Sequence, residues 1–133
     1  MTNLLAIEGI GPVNAGKLQA AGIPTIEALL KACASPEGRQ AVTEKADVSA
    51  KLLLEWANRA DLFRIKGVAE EYSDLLEASG VDTVPELAQR NGENLYAKMK
   101  EVNAEKKLVR KLPSLDQVQD WVAQAKELPR VLT

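Results

Sequence analysis

Leu5-Ala6-Ile7-Glu8-Gly9-Ile10-Gly11-Pro12-Val13-Asn14-Ala15 places two glycines around one isoleucine, with a proline directly behind them. Glycine at 9 and 11 lets the backbone turn tightly and come close to a ligand. Ile10 is placed to plug the space between two helices, and Ala15 permits their close contact. Pro12 can open a helix at its first turn. Val13, Leu18 and Ala21 then recur at roughly helical spacing until Gly22 ends the run. A turn of this kind aims backbone amides at a helix start, where the partial positive charge favours a phosphate.

The stretch is echoed later in the chain. A shift of 58 residues sets Ile7-Glu8-Gly9-Ile10-Gly11 over Ile65-Lys66-Gly67-Val68-Ala69, and Leu18, Ala20, Gly22, Thr25 and Leu29 over Leu76, Ala78, Gly80, Thr83 and Leu87. Seven of the 24 positions from 7 to 30 are identical, and they fall on glycines, a cap residue and periodic apolar sites. A shift of 65 sets Glu55-Trp56-Ala57 against Asp120-Trp121-Val122, so each half ends in a tryptophan-bearing helix. The expected units are residues 1–64 and 65–133, built around one shared core. Gly22 and Gly80 read as left-handed helix ends, and Thr25 and Thr83 as N-caps. Ser35-Pro36, Asn91-Gly92 and Pro113-Ser114 read as breaks. Leu52, Leu53, Trp56, Ala60 and Phe63 trace one helical face, as do Leu115, Val118, Trp121 or Val122, and Ala125. The reading is an all-α, pseudo-duplicated fold of seven to eight short helices.

Composition agrees with this. The 133 residues are 46% hydrophobic and 27% charged, ordinary for a folded chain, and the 4% of aromatics argues against a β-sandwich. With no histidine, the usual general base, the Ser-His and Cys-His pairs and the commonest transition-metal ligand are all missing. A single cysteine excludes an intrachain disulfide, and with it any zinc site built from four cysteines or from a mixed set of cysteines and histidines. Cys33, in an apolar stretch, reads as a small core residue. Glu70, Glu71 and Asp74 read as surface carboxylates rather than ligands of a hard cation. No phosphate-binding loop or dinucleotide fingerprint occurs. The expectation is therefore no enzyme, no cofactor and no small-molecule substrate. Met1-Thr2-Asn3-Leu4-Leu5 has no basic segment before a long apolar run, and no apolar stretch approaches the roughly 20 residues of a membrane span. A cytoplasmic protein without a membrane partner is expected.

The turn resembles the helix-hairpin-helix motif, hydrophobic-x-Gly-hydrophobic-Gly with a small residue four positions on; Ile7, Gly9, Ile10, Gly11 and Ala15 match it. That resemblance implies a hairpin holding a nucleic-acid backbone without reading bases, sometimes with a monovalent cation on turn carbonyls. The whole chain resembles an uncharacterised bacterial family, a domain of unknown function described as tandem helix-hairpin-helix. The resemblance rests on the glycine hairpin, the Gly-Val-Asp-Thr loop, Asn103 after a lysine-rich helix, and Leu112-Pro113-Ser114 before a tryptophan helix. The second hairpin departs from the motif: Ala69 replaces a glycine, and Glu70 and Glu71 occupy the place a phosphate would take. The first lacks the Lys or Arg that DNA-binding members carry after the second glycine, and Lys17 stands a turn further on.

Charge divides the functional readings. The net charge is −2, whereas nucleic-acid modules usually carry a basic excess. Residues 98–111 nevertheless hold six basic and two acidic residues, while 66–93 hold seven acids and two bases. One reading is a DNA or RNA backbone binder using Gly9, Ile10, Gly11 and Val13 with Lys17, assisted by Lys106, Lys107, Arg110 and Lys111. The other is a protein-interaction module whose hairpins are structural corners. The apolar stripe from Leu52 to Phe63 leads from one unit into the next, so both should melt in a single thermal transition; two separated calorimetric peaks would contradict this.

Overall fold

Prolines and short polar side chains start most of the helices. In the computed structural model, which describes residues 2–7 and 9–133, a 3-10 turn at Leu4–Ala6 precedes eight α-helices. These are α1 (Pro12–Ala20), α2 (Ile26–Ala32), α3 (Pro36–Ala46), α4 (Ala50–Leu62), α5 (Glu70–Ala78), α6 (Val84–Ala88), α7 (Gly92–Lys106) and α8 (Leu115–Glu127). Among the described residues there is no strand, only an isolated bridge between Asn3 and Thr25, and the fold is all-α. No helix is long and apolar enough to cross a membrane. Met1 and Glu8, the latter within the hairpin stretch, lie outside the described residues.

Capping follows the sequence reading with one difference. Thr25, Ser35 and Ser49 accept from the amides of Ala28, Gly38 and Leu52, and Ser114 forms a reciprocal capping box with Gln117. Asn91-Gly92 is the break between α6 and α7 and also starts the second of them, because Asn91 Oδ1 accepts from Asn94 N at 3.1 Å and satisfies a first-turn amide of α7. Thr83 occupies the N-cap position of α6, but its hydroxyl donates to Glu86 instead. Gly22 (φ +90°) and Gly80 (φ +93°) end α1 and α5 in the left-handed region. In each case the amide two residues past the cap closes a 2.9 Å bond, Ile23 N to Leu18 O and Val81 N to Leu76 O.

The chain divides into two compact units, Met1–Asp61 with Arg130–Thr133, and Leu62–Pro129. In the first, α1 and α2 pack on α3, and Ile7, Leu18, Leu29, Leu53 and Trp56 are fully buried. Its ends are tied down. Thr133 N donates to Ala34 O at 2.8 Å, and the amide and hydroxyl of Thr2 both donate to the Glu27 carboxylate at 2.9 Å. The Thr2 amide bond is the main reason that the Glu27 carboxyl is held below its ordinary range. In the second unit, α6 and α7 pack on α8 and α5 packs on α7, around a core that includes Leu75, Leu76, Leu87, Met99, Val118 and Trp121.

The expected face of α4 is rotated, while that of α8 is kept. On α4 the buried line is Leu53, Trp56, Ala57 and Ala60, while Leu52 is 42% exposed. The i, i+3, i+4, i+7 set that includes Ala57 turns Leu52 outward. On α8 both Trp121 and Val122 are buried, so the stripe is wide enough for the two. Val13, placed in the periodic set of α1, is 74% exposed; Ala15 and Leu18 carry that helix's buried face.

Replacing Trp56 by Ala should cost about 3–5 kcal/mol in denaturant unfolding, as for other large buried side chains. Two glycines should respond with opposite sign. Gly16, inside α1 with open space where a Cβ would stand, should gain about 0.5–1 kcal/mol on replacement by Ala. Gly38→Ala should destabilise, because its Cβ would run into the backbone carbonyl of Ala32. Cys33 is fully buried, and burial pushes its thiol up to about 11 from 9.0. The unfolded thiol ionises first, so stability is retained below about pH 9 and falls towards pH 11. Cys33→Ala, compared with the wild type across that window, should lose this component of the pH dependence.

Candidate nucleic-acid interface

The first hairpin is closed by two backbone bonds, Ile7 N to Leu4 O at 3.1 Å and Ile10 N to Ile7 O at 3.2 Å. Gly9 sits at φ +92°, where a side chain is strained, and a Cβ there would stand 3.5 Å from Trp56 Nε1. Ile10 is buried as its apolar side chain demands, and its amide is consumed inside the turn. Gly11 differs from Gly9. Its φ of −80° is open to any residue, and a Cβ would meet nothing within 4 Å. Neither backbone conformation nor packing among the described residues requires a glycine at 11.

Behind Gly11 the first turn of α1 is bare. Pro12 has no N–H, Val13 and Asn14 have no intrahelical acceptor by helix geometry, and Gly11 supplies no side-chain cap. The first bond available to the helix is Ala15 N to Gly11 O at 2.9 Å. No carboxylate stands in this turn. Every other α-helix has a first-turn carboxylate except α4, which Ser49 caps. Lys17, one turn along, donates from Nζ to the carbonyl of Asp47 at 3.1 Å. Asp47 is the left-handed cap that ends α3, so this ammonium complements a helix C-terminus.

The second hairpin repeats the turn and changes the helix start. Gly67 has φ +97°, and its Cβ would stand 3.0 Å from Trp121 Nε1; Val68 N bonds Ile65 O at 3.1 Å. Ala69 is extended (φ −129°, ψ −158°), which explains why a glycine is dispensable there. Glu70 and Glu71 fill the first turn of α5 and are exposed. They do not form a metal site with Asp74: among the described residues no three carboxylate or thiol groups converge on one.

A residue outside the expected set anchors this turn. Gln124 of α8 accepts from Lys66 N at 2.9 Å and donates to Lys66 O at 3.1 Å, and its Nε2 also donates to Asp120. A glutamine on a polar helix face carries no signal of such a clasp. Of the expected site residues, Gly9, Ile10, Gly11, Val13 and Lys17 belong to the first unit, and Lys106, Lys107, Arg110 and Lys111 to the second. The four basic residues are all exposed, at the end of α7 and in the loop that follows.

No functionally curated protein and no solved structure is significantly similar to the chain. A family model described as Domain of unknown function (DUF4332) matches residues 8–128, nearly the whole length, and the chain belongs to that family.

Proposed function

We propose that this chain is a non-enzymatic, cytoplasmic binding module of tandem, duplicated helix-hairpin-helix units, and that its first hairpin holds a nucleic-acid backbone without reading sequence. The observation that carries this reading is the start of α1. Among the described residues its amides at Val13 and Asn14 have no intrahelical acceptor, no side-chain cap and no first-turn carboxylate, and they stand behind a glycine that neither conformation nor packing demands. An uncapped helix start with room for close approach suits a phosphate oxygen. A small number of such contacts in a chain of net charge −2 implies weak binding with a shallow salt dependence. Lys17 contributes a positive field from its place beside Asp47 rather than a contact at the turn itself.

The net charge of −2 and the acidic start of α5 support a second reading, a protein-interaction module whose hairpins are structural corners. Fluorescence anisotropy with labelled single- and double-stranded DNA and RNA separates the two. Under the first reading binding saturates at low salt and weakens as salt rises. Gly11→Asp should then lower affinity at least about tenfold, through repulsion at the amides, while leaving the melting temperature equal or slightly raised, since Asp is a good N-cap. Unchanged affinity in that variant would remove the proposed site. Absence of any nucleic-acid binding, with a stoichiometric protein recovered from nuclease-treated lysate, would favour the protein reading.

A further inference from the structure

The segment that leaves α7 is basic and hydrogen-bonded to both α7 and α5. Lys107 ends the helix in the left-handed conformation (φ 51°), with its amide bonded to Asn103 O at 2.8 Å. The Asn103 carboxamide then clasps the backbone of Val109 from both sides: Oδ1 accepts from Val109 N at 3.0 Å, and Nδ2 donates to Val109 O at 3.3 Å. Val109 buries its side chain, as does Pro113. The Tyr72 hydroxyl donates to Lys111 O at 3.1 Å, and its ring lies 5.3 Å from that of Trp121. The loop is thus tied at Val109 and Lys111 to α7 and α5. From this fixed frame Lys106, Lys107, Arg110 and Lys111 all face solvent, and no carboxylate occurs between Lys106 and Leu115.

Four like charges crowded on one short segment repel each other. The Asn103 and Tyr72 hydrogen bonds set where the backbone carrying them lies relative to α7 and α5. A rigid array of cations loses less conformational freedom when it meets a polyanion than a mobile one does. The hairpin of the same unit cannot make that contact, because Glu70 and Glu71 occupy the start of α5.

We infer that the second unit makes its own contact with the nucleic-acid backbone through the Lys106–Lys111 loop in place of its hairpin, and that Asn103 and Tyr72 are positioning residues for this contact. The inference rests on the reading of the chain as a nucleic-acid binder, but not on the first hairpin. Arg110 and Lys111 supply the phosphate contacts nearest the Tyr72 tie, and Lys106 and Lys107 those nearest the Asn103 clasp.

The test is anisotropy of the full chain with labelled duplex DNA across a salt series, with unfolding curves confirming that each variant folds. Arg110→Glu combined with Lys111→Glu should lower affinity at least about tenfold and reduce the slope of log K against log salt by about 2, near 0.9 for each lost phosphate. Asn103→Ala keeps every charge, so a purely structural role would leave the slope alone; the expected result is a reduced slope. An unchanged slope and affinity in the double variant overturns the inference even if Gly11→Asp abolishes binding. Loss in the double variant with Gly11→Asp unaffected keeps the loop and removes the first hairpin. No salt-dependent binding by the wild type overturns both.

Discussion

In both units a tryptophan indole packs beside the hairpin glycine, closely in the second and at ordinary contact in the first. At Gly67 a Cβ would lie 3.0 Å from Trp121 Nε1, and at Gly9 one would lie 3.5 Å from Trp56 Nε1. The two glycines also share a positive φ, +97° and +92°, a conformation that strains any other residue. Turn and indole therefore specify each other. The backbone can fold back only at glycine, and the fold-back brings it against a ring that is almost wholly buried.

From this common turn the two units diverge at the next residues. In the first, Gly11-Pro12-Val13-Asn14 leaves a helix start with amides and no intrahelical acceptor. In the second, Ala69-Glu70-Glu71 supplies two carboxylates to the same place, which stabilise the helix dipole and close the position to an anion. The cations are arranged the other way. The first unit's Lys17 is engaged with Asp47 O, whereas the second unit carries four exposed basic residues at the end of α7 and in the following loop clasped by Asn103. The scaffold tolerates both arrangements because neither helix start is part of the core.

Much of this is legible in the sequence for identifiable reasons. Gly9, Gly22, Gly67 and Gly80 are needed where φ is positive, and they mark the turns. The caps at Thr25 and Ser114 depend only on local geometry, so local residue types reveal them. Asn91-Gly92 reads only as a break because the same pair suits a tight turn and a helix start, and only the following helix distinguishes them. The face of α4 shifts from Leu52 to Ala57 because an alanine counts little in an apolar stripe, although it fits best against a packed neighbour. Glycine 11 and glycine 9 look alike in the sequence; the dihedral angles alone separate a glycine that the turn requires from one that it does not.

The sequence by itself determined the helical class, the positions of the turns and the absence of histidine-based chemistry, because glycine, proline and cap residues act through their own backbone and composition needs no fold. Tertiary structure decided which lysine is engaged by a distant carbonyl, and that a basic segment is a loop tied by hydrogen bonds to α7 and α5. Those outcomes depend on partners far apart in the chain, such as Lys17 with Asp47, Lys66 with Gln124 and Tyr72 with Lys111. A hydrogen bond between such residues has no periodicity or local signature, and it exists only once packing has brought the two groups together.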